Sequence, residues 1–415
     1  MVYQIALLVI AIALTVFLLR KKVNIGIIML INCVFIILAV GMSFDRMFQN
    51  TVKGITQLKT LNLLIIFTEI LIVENIMRKN KMIEKMVLSL RGLIGNSRIS
   101  IMVLPALIGL MPSPGGARFS CPMVDELVTD EMKNEDKAFV NYWYRHIWRD
   151  GFILYPAVII AAELLEVTVM SLFLHILVFT IIHMLIGYIL IRKGIKVKEE
   201  SYSEDKKVMR STFINNFLPV GIIILSYMLL LMFFGDSLRN NGISTIVLLN
   251  IAVVPVIVFL FIKVKYSFKK VLKTFKEAFQ VKFLIIIMGV MVFKEFLVDS
   301  GLIDIWISYI TENNIPKEIL YILLPFLAGF TSGLAINYAT LAMPILMPLG
   351  LGNSLWLASA SMMAGFSGVM LTPLHLCNIM SCDYFKTDFH KVLKKVGIAE
   401  FVMLIFIIFI ILIFR

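Results

Sequence analysis

The chain has 415 residues, 60% of them hydrophobic and only 16% charged, with a mean hydropathy of +0.93. No soluble domain can hide that much apolar surface, so this is an integral membrane protein with length for roughly ten spans of about 20 residues. The net charge of +12 does not indicate nucleic acid as a partner, because the lysines and arginines sit in short loops beside apolar segments, where they set membrane topology.

Residues 2–19 form the first apolar run, and Arg20, Lys21 and Lys22 follow it. Charges after the run fit a retained first span with its N-terminus outside, and do not fit a signal peptide. Further apolar runs predict spans at 24–43, 61–77, 151–167, 168–191, 212–235, 243–262, 283–300, 355–385 and 396–414. Segments 97–127 and 319–349 differ from these, since Gly, Ser and Pro interrupt their middles. Each is too broken for one helix and too apolar for a surface loop. Both are expected to be re-entrant hairpins, entering and leaving the membrane on one side. That layout puts 31 of the 39 Lys and Arg residues on one face and six on the other, with Arg118 and Lys294 within membrane segments. The positive-inside rule makes the basic face cytoplasmic, which predicts a multi-pass protein of the cytoplasmic (inner) membrane with both termini outside.

The chain also carries an internal repeat. "LPALIG" at 104–109 matches "LPFLAG" at 324–329, an offset of 220 that also carries "LLII" at 63–66 onto "FLII" at 283–286. "GFILYP" at 151–156 matches "GVMLTP" at 368–373 at an offset of 217. The predicted fold is all-α and integral to the membrane, a duplication of five transmembrane helices plus one re-entrant hairpin. The first copy, 1–205, would hold scaffold helices in 2–77, the hairpin 97–127, a broken helix 141–167 and a helix 168–191. The second, 206–415, would hold scaffold helices in 212–300, the hairpin 319–349, a broken helix 355–385 and a helix 396–414. An odd number of crossings inverts the second copy relative to the first, the architecture of secondary transporters.

Candidate site residues follow from where helices must stop. At the first tip, Ser113, Gly115, Gly116, Arg118 and Ser120 combine free backbone N–H groups, close approach and a forked cation, a set suited to a carboxylate. The second tip offers Thr331, Ser332, Asn337 and Thr340 for substrate hydroxyls or a small cation. Thr372, His375 and Asn378 flank the second helix break. In "RHIWRDGFILYP", residues 145–156, His146 and Asp150 share one helical face and Arg145 and Arg149 another, so a proton relay and an anion site are both available. Residues 141–150 are read in two ways, as a half-helix inside the bundle or as an interfacial helix in the headgroups. Glu69, mid-span, is expected to face protein or water, either as a proton site or as a structural partner of a cation such as Arg118. Glu74 is expected to snorkel, Glu163 and Glu166 to be solvated, and His175 and His183 to be buried helix residues. The four cysteines have no metal-ligand spacing, and neither a metal nor a cofactor is expected.

Three stretches carry a family resemblance: "MPSPGGARFSCPMVDEL" at 111–127, "NYWYRHIW" at 141–148 and "TPLHLCN" at 372–378. They resemble a family of prokaryotic membrane proteins known as a domain of unknown function and grouped with the ion transporter superfamily of citrate, dicarboxylate, gluconate and lactate carriers. The resemblance implies a homodimer in which a mobile transport domain, holding both hairpins and two broken helices, moves by an elevator mechanism against a scaffold. The tips read Ser113-Pro114-Gly115 and Ser332-Gly333-Leu334, unlike the Ser-Asn-Thr tips of the sodium-coupled dicarboxylate carriers. The leading function is a carrier of a small organic anion coupled to H+ or Na+. A cation/proton antiporter using Glu69 and Asp150, and the membrane subunit of a binding-protein-dependent carrier, are the alternatives. An enzyme is not expected, since HExxH and GxSxG are both missing.

Overall fold

The structure, a computed structural model, describes residues 2–95, 97–109, 117–150, 152–198 and 205–415, with the backbone alone at Val2, Gln4, Ile5, Leu7, Leu8, Val9, Arg118, Phe119, Arg149, Asp150, Ile303, Trp306 and Thr311. Among these residues the regular structure is helical, joined by turns and short loops, and Val128 and Val197 form an isolated antiparallel bridge. The helices fall into two runs of ten. The first comprises α1 (Val2–Arg20), α2 (Ile25–Val40), α3 (Phe44–Thr56), α4 (Leu58–Lys79), α5 (Met82–Ile94), α6 (Arg98–Gly109), α7 (Ala117–Leu127), α8 (Asn134–Asp150), α9 (Pro156–Leu164) and α10 (Val169–Ile191). The second comprises α11 (Lys206–Asn240), α12 (Ile246–Lys263), α13 (Phe268–Ala278), α14 (Val281–Asp299), α15 (Leu302–Glu312), α16 (Lys317–Ser332), α17 (Ala335–Leu346), α18 (Leu355–Leu371), α19 (Leu376–Phe385) and α20 (Phe389–Phe414).

The ends of these helices are written locally. The Asn24 side chain accepts from the Gly26 N–H to open α2, and Gly41 closes it in the left-handed region at φ +60°. Thr168 caps α10, Ser354 caps α18, and Asp388 caps α20 through two backbone N–H groups. Pro156 occupies the first turn of α9, where its missing N–H costs nothing.

Among the described residues, five helices are long and apolar enough to cross a membrane by themselves: α4, α10, α11, α12 and α20. The pair α18 and α19, bent by 42° at its break, makes up to six. Ten spans were expected; the 19-residue α1 coincides with the first of them, and three others differ for specific reasons. Residues 151–167 hold the nine-residue α9, about 13 Å long against a hydrocarbon core of about 30 Å. Helix α14 carries Lys282, Lys294, Glu295 and Asp299, and α2 is only 16 residues long. Four helices were not predicted at all: α3, α5, α13 and α15. They are short and mix charged with apolar residues, as in "FKKVLKTFKEA" of α13. Helix α13 is tied to the end of α4, where Lys79 and Asn75 donate to Glu277. The Lys79 ammonium holds the Glu277 carboxyl below the usual carboxylate range, so this tie is present at neutral pH and is lost as pH falls through that lowered value.

Packing between the runs is reciprocal. Helix α2 packs on α14 and α12 on α4; α3 on α14 and α13 on α4; α5 on α11 and α15 on α1; α7 on α19 and α17 on α9. Within the runs α6 packs on α8 and α16 on α18. The last contact is backbone against backbone. A Cβ added at Gly329 would lie 2.1 Å from the Gly365 carbonyl oxygen, and one added at Gly368 would lie 2.1 Å from that of Phe326. The outer faces of α11, α12 and α20 expose Leu, Ile, Met and Phe, as a lipid-facing surface does, while the buried polar residues gather inside.

Candidate functional site

Helix α8 sits at the centre of the molecule. Residues 136–147 are all buried, although they include Asn141, Arg145 and His146. An interfacial helix keeps one face in water, and this helix has none over that stretch. Its neighbours are α6, α7, α10, α19 and α20. A helix enclosed on every side can carry polar groups only if other helices answer them.

The break between α18 and α19 answers several. His375, at the N-cap of α19, faces His146 with the two Nε2 atoms 3.0 Å apart. The rings meet edge to face at an interplanar angle of 89°, and Tyr142 packs against both. His146 Nδ1 lies 2.6 Å from the Tyr142 carbonyl oxygen and His375 Nδ1 lies 3.2 Å from that of Val369. Two residues beyond His375, Cys377 receives a hydrogen bond of 3.3 Å from Arg145 Nη1. Asn141 donates to Ser381 Oγ at 2.8 Å and to Cys121 Sγ at 3.0 Å, and ties the return helix of the first hairpin segment, α7, into the same cluster. The Asn378 side chain is fully buried, and its Nδ2 has no hydrogen-bond partner among the described residues. The backbone end of α6 presses in as well, since a Cβ at Gly109 would lie 1.7 Å from the Arg145 carbonyl oxygen.

The turn between α16 and α17 closes over the same break. Gly333 ends α16 in the left-handed region at φ +65°, with its N–H on the Gly329 carbonyl. Its Cα faces Thr372 and His375 so closely that an added Cβ would meet Thr372 Cγ2 at 3.3 Å. Second-tip turn, helix break and His pair therefore form one polar junction. Two cavities among the described residues lie elsewhere and have apolar walls. One lies between α1, α2 and α14, while the other holds Glu74 beside Phe152 and Leu154.

The profile of the family DUF401, described as "Protein of unknown function (DUF401)", matches residues 3–414. The chain belongs to this family. No curated protein matches the sequence. In fold the chain is similar to the YdaH transporter of Alcanivorax borkumensis, whose crystal structure is described as revealing an unusual topology. The two are 14% identical over 88% of this chain and 86% of that one, with a TM-score of 0.49. A likeness at that level carries no functional argument, and what this DUF401 member does is argued from its own residues.

Of the residues singled out in the sequence, Thr331, Ser332, Thr372, His375, His146 and Asn378 lie on the elements that meet at this junction. Thr331 and Ser332 spend their hydroxyls on carbonyls of their own helix, Leu327 and Ala328, and Thr340 does the same on Ile336. Asn337 and Ser120 are buried. Ser113, Gly115 and Gly116 lie outside the described residues, as do the side chains of Arg118, Arg149 and Asp150. Glu69 is buried, with no hydrogen-bond partner for its Oε2 among the described residues. Two other acids differ from expectation. Glu74 is buried in a cleft and does not reach the surface, and Glu163 is 3% exposed and accepts from the Ser244 hydroxyl instead of facing water. Glu166 is exposed and paired with Lys59 at 2.5 Å.

Arg145, read with Arg149 as an anion site, makes a contact with Cys377 that spans 232 residues. Two further groups were not read as site residues. Cys377 looked like a packing residue. Glu400 was passed over in the apolar run of α20, yet it lies 3.5 Å from His183 Nε2, with both side chains fully buried. Their spacing of 217 equals the offset between "GFILYP" and "GVMLTP", and that was the one signal in the sequence that could have found it.

Proposed function

We propose that this protein is a secondary active transporter that moves a small organic anion, a carboxylate, across the cytoplasmic membrane, coupled to H+ or Na+. The observation that carries the reading is the buried polar junction formed where helices stop. Non-helical backbone at membrane depth is tolerated where it lines a cavity or is answered by protein, and carriers put their sites at such breaks. The side chains described there are neutral or cationic. Arg145, His146, His375, Asn141 and Asn378 form a surrounding that favours an anion over a cation. The reciprocal helix contacts, with α10 and α20 meeting at residues 217 apart, support an inverted duplication whose hairpins and broken helices move together as an elevator in a homodimer. The test is thermal stabilisation of purified protein by a panel of carboxylates, with and without sodium and at two pH values, followed by uptake into proteoliposomes. A panel that neither stabilises nor enters under any condition removes the organic-anion reading. Glu69 supports a second reading, cation/proton antiport with no organic substrate. In that case a cation gradient alone would drive proton flux, and Glu69→Gln would end it.

Topology gives a separate expected result. Lys133→Cys, Lys206→Cys and Lys273→Cys should label only from the cytoplasm, and Lys53→Cys and Lys317→Cys only from outside. Labelling of positions 133 and 317 from the same side would end the inverted-repeat reading.

At the first tip, Arg118 is proposed to hold the anionic group beside the N–H groups of α7. Lysine keeps the charge but loses the forked pair of hydrogen bonds. Since a charge-assisted bond contributes about 1.5–3 kcal/mol, Arg118→Lys should weaken binding roughly ten- to a hundredfold, and Arg118→Ala more. Normal affinity in folded Arg118→Ala would make Arg118 a structural counter-ion.

A further inference from the structure

We infer that His146, His375 and Cys377 form a binding site for a thiophilic transition-metal ion of the zinc type. The inference stands on the side-chain geometry and does not rest on the transport reading. Its first support is the tautomer. A backbone carbonyl can only accept, so Nδ1 of each imidazole carries the hydrogen that reaches Tyr142 or Val369. The two Nε2 atoms then face each other at 3.0 Å, a contact that either one hydrogen or one metal cation between them satisfies. An Nδ1–H held by a backbone carbonyl is also the usual way in which a ligating histidine is oriented.

The third ligand is within reach. The two imidazole nitrogens and Cys377 Sγ all lie within 4.8 Å of one another. Around a tetrahedral zinc the ligand atoms are roughly 3.3–3.6 Å apart, so a shift of about 1 Å in one flexible side chain closes the set. Arg145 Nη1 donates to Cys377 Sγ at 3.3 Å and so fixes where the sulfur sits. Two imidazoles with one thiolate suit Zn2+ or a softer ion and do not suit Mg2+ or Ca2+, which take oxygen ligands. Three protein ligands leave a fourth position for water or an anionic ligand. The sequence could not disclose the set because its members come from α8 and from the α18–α19 break, 229 residues apart.

The test uses purified full-length protein, freed of any affinity tag and stripped with chelator, and titrated with Co2+. We expect one equivalent to bind, with visible d–d bands of a tetrahedral ion and a thiolate-to-cobalt charge-transfer band, and Zn2+ to displace it and bleach both. Cys377→Ser should remove the charge-transfer band and weaken Co2+ binding at least about tenfold. The double change His146→Ala with His375→Ala should weaken it about a hundredfold or more. Cys33→Ser, far from the site, should leave the spectrum unchanged. Wild-type protein that binds neither Co2+ nor Zn2+ saturably overturns the inference, as does an unchanged charge-transfer band in Cys377→Ser. Because Cys377→Ser is a near-isosteric change at a half-buried position, that variant decides the question even if the histidine double variant fails to fold.

Discussion

Gly368→Ala is expected to destabilise the protein by about 3 kcal/mol or more, from the addition of one methyl group. The group would enter a space 2.1 Å from the Phe326 carbonyl oxygen and 2.9 Å from the Phe330 nitrogen. Both are backbone atoms of α16, so no side chain can turn aside and the two helices must separate. The same contact contains Gly329 against Gly365, and Gly365 in turn faces the Tyr338 ring of α17. Helices α16, α17 and α18 are thus held as one body by small residues, the way helices approach closely in a bilayer, where there is no hydrophobic force between them. Gly221→Ala is the control. It adds the same methyl to α11, where the nearest atoms belong to the Phe217 ring at 3.6 Å, an ordinary contact. Alanine in a helix interior is favoured over glycine by up to about 1 kcal/mol, so Gly221→Ala should be neutral or slightly stabilising. Unfolding in detergent, followed by circular dichroism and gel filtration, measures both. Equal stability of the two variants would mean that α16 and α18 do not touch in this way.

Arg145→Met is expected to reduce anion binding ten- to a hundredfold or more while the protein still folds. Methionine retains most of the aliphatic stem that packs in α8, and removes the guanidinium. Arg145 is 5% exposed, and its guanidinium is joined to Cys377. Its loss takes at least one charge-assisted hydrogen bond of about 1.5–3 kcal/mol from a bound carboxylate. Arg145→Lys should fall between the two, because a point charge cannot grip both carboxylate oxygens in one plane. Isothermal titration with the best ligand of the carboxylate panel gives the affinities, and thermal unfolding confirms folding. Wild-type affinity in Arg145→Met would move the anion site away from the junction and leave Arg118 as the remaining candidate.

The amino-acid sequence by itself determined the membrane class and the helical content, because both follow from composition and from local apolar runs. It also marked where helices end. Pro156 opens α9, Gly333 closes α16, and Asn24, Thr168, Ser354 and Asp388 cap their own helices within three residues of chain. Such signals are short in range, so a single sequence exposes them. The short helices α3 and α13 were not legible, because mixed charge and apolar residues read as loop until a neighbouring helix offers a face to pack on. The acids Glu74 and Glu163 were misjudged for a related reason, since distance along a span does not say which way a side chain points. What only the tertiary structure decided is the junction itself. His146 meets His375, Arg145 meets Cys377, and Asn141 meets Ser381 across 229, 232 and 240 residues. No local pattern records those pairings. They arise because α8 is enclosed on every side, and each polar group it carries must find its partner on another helix.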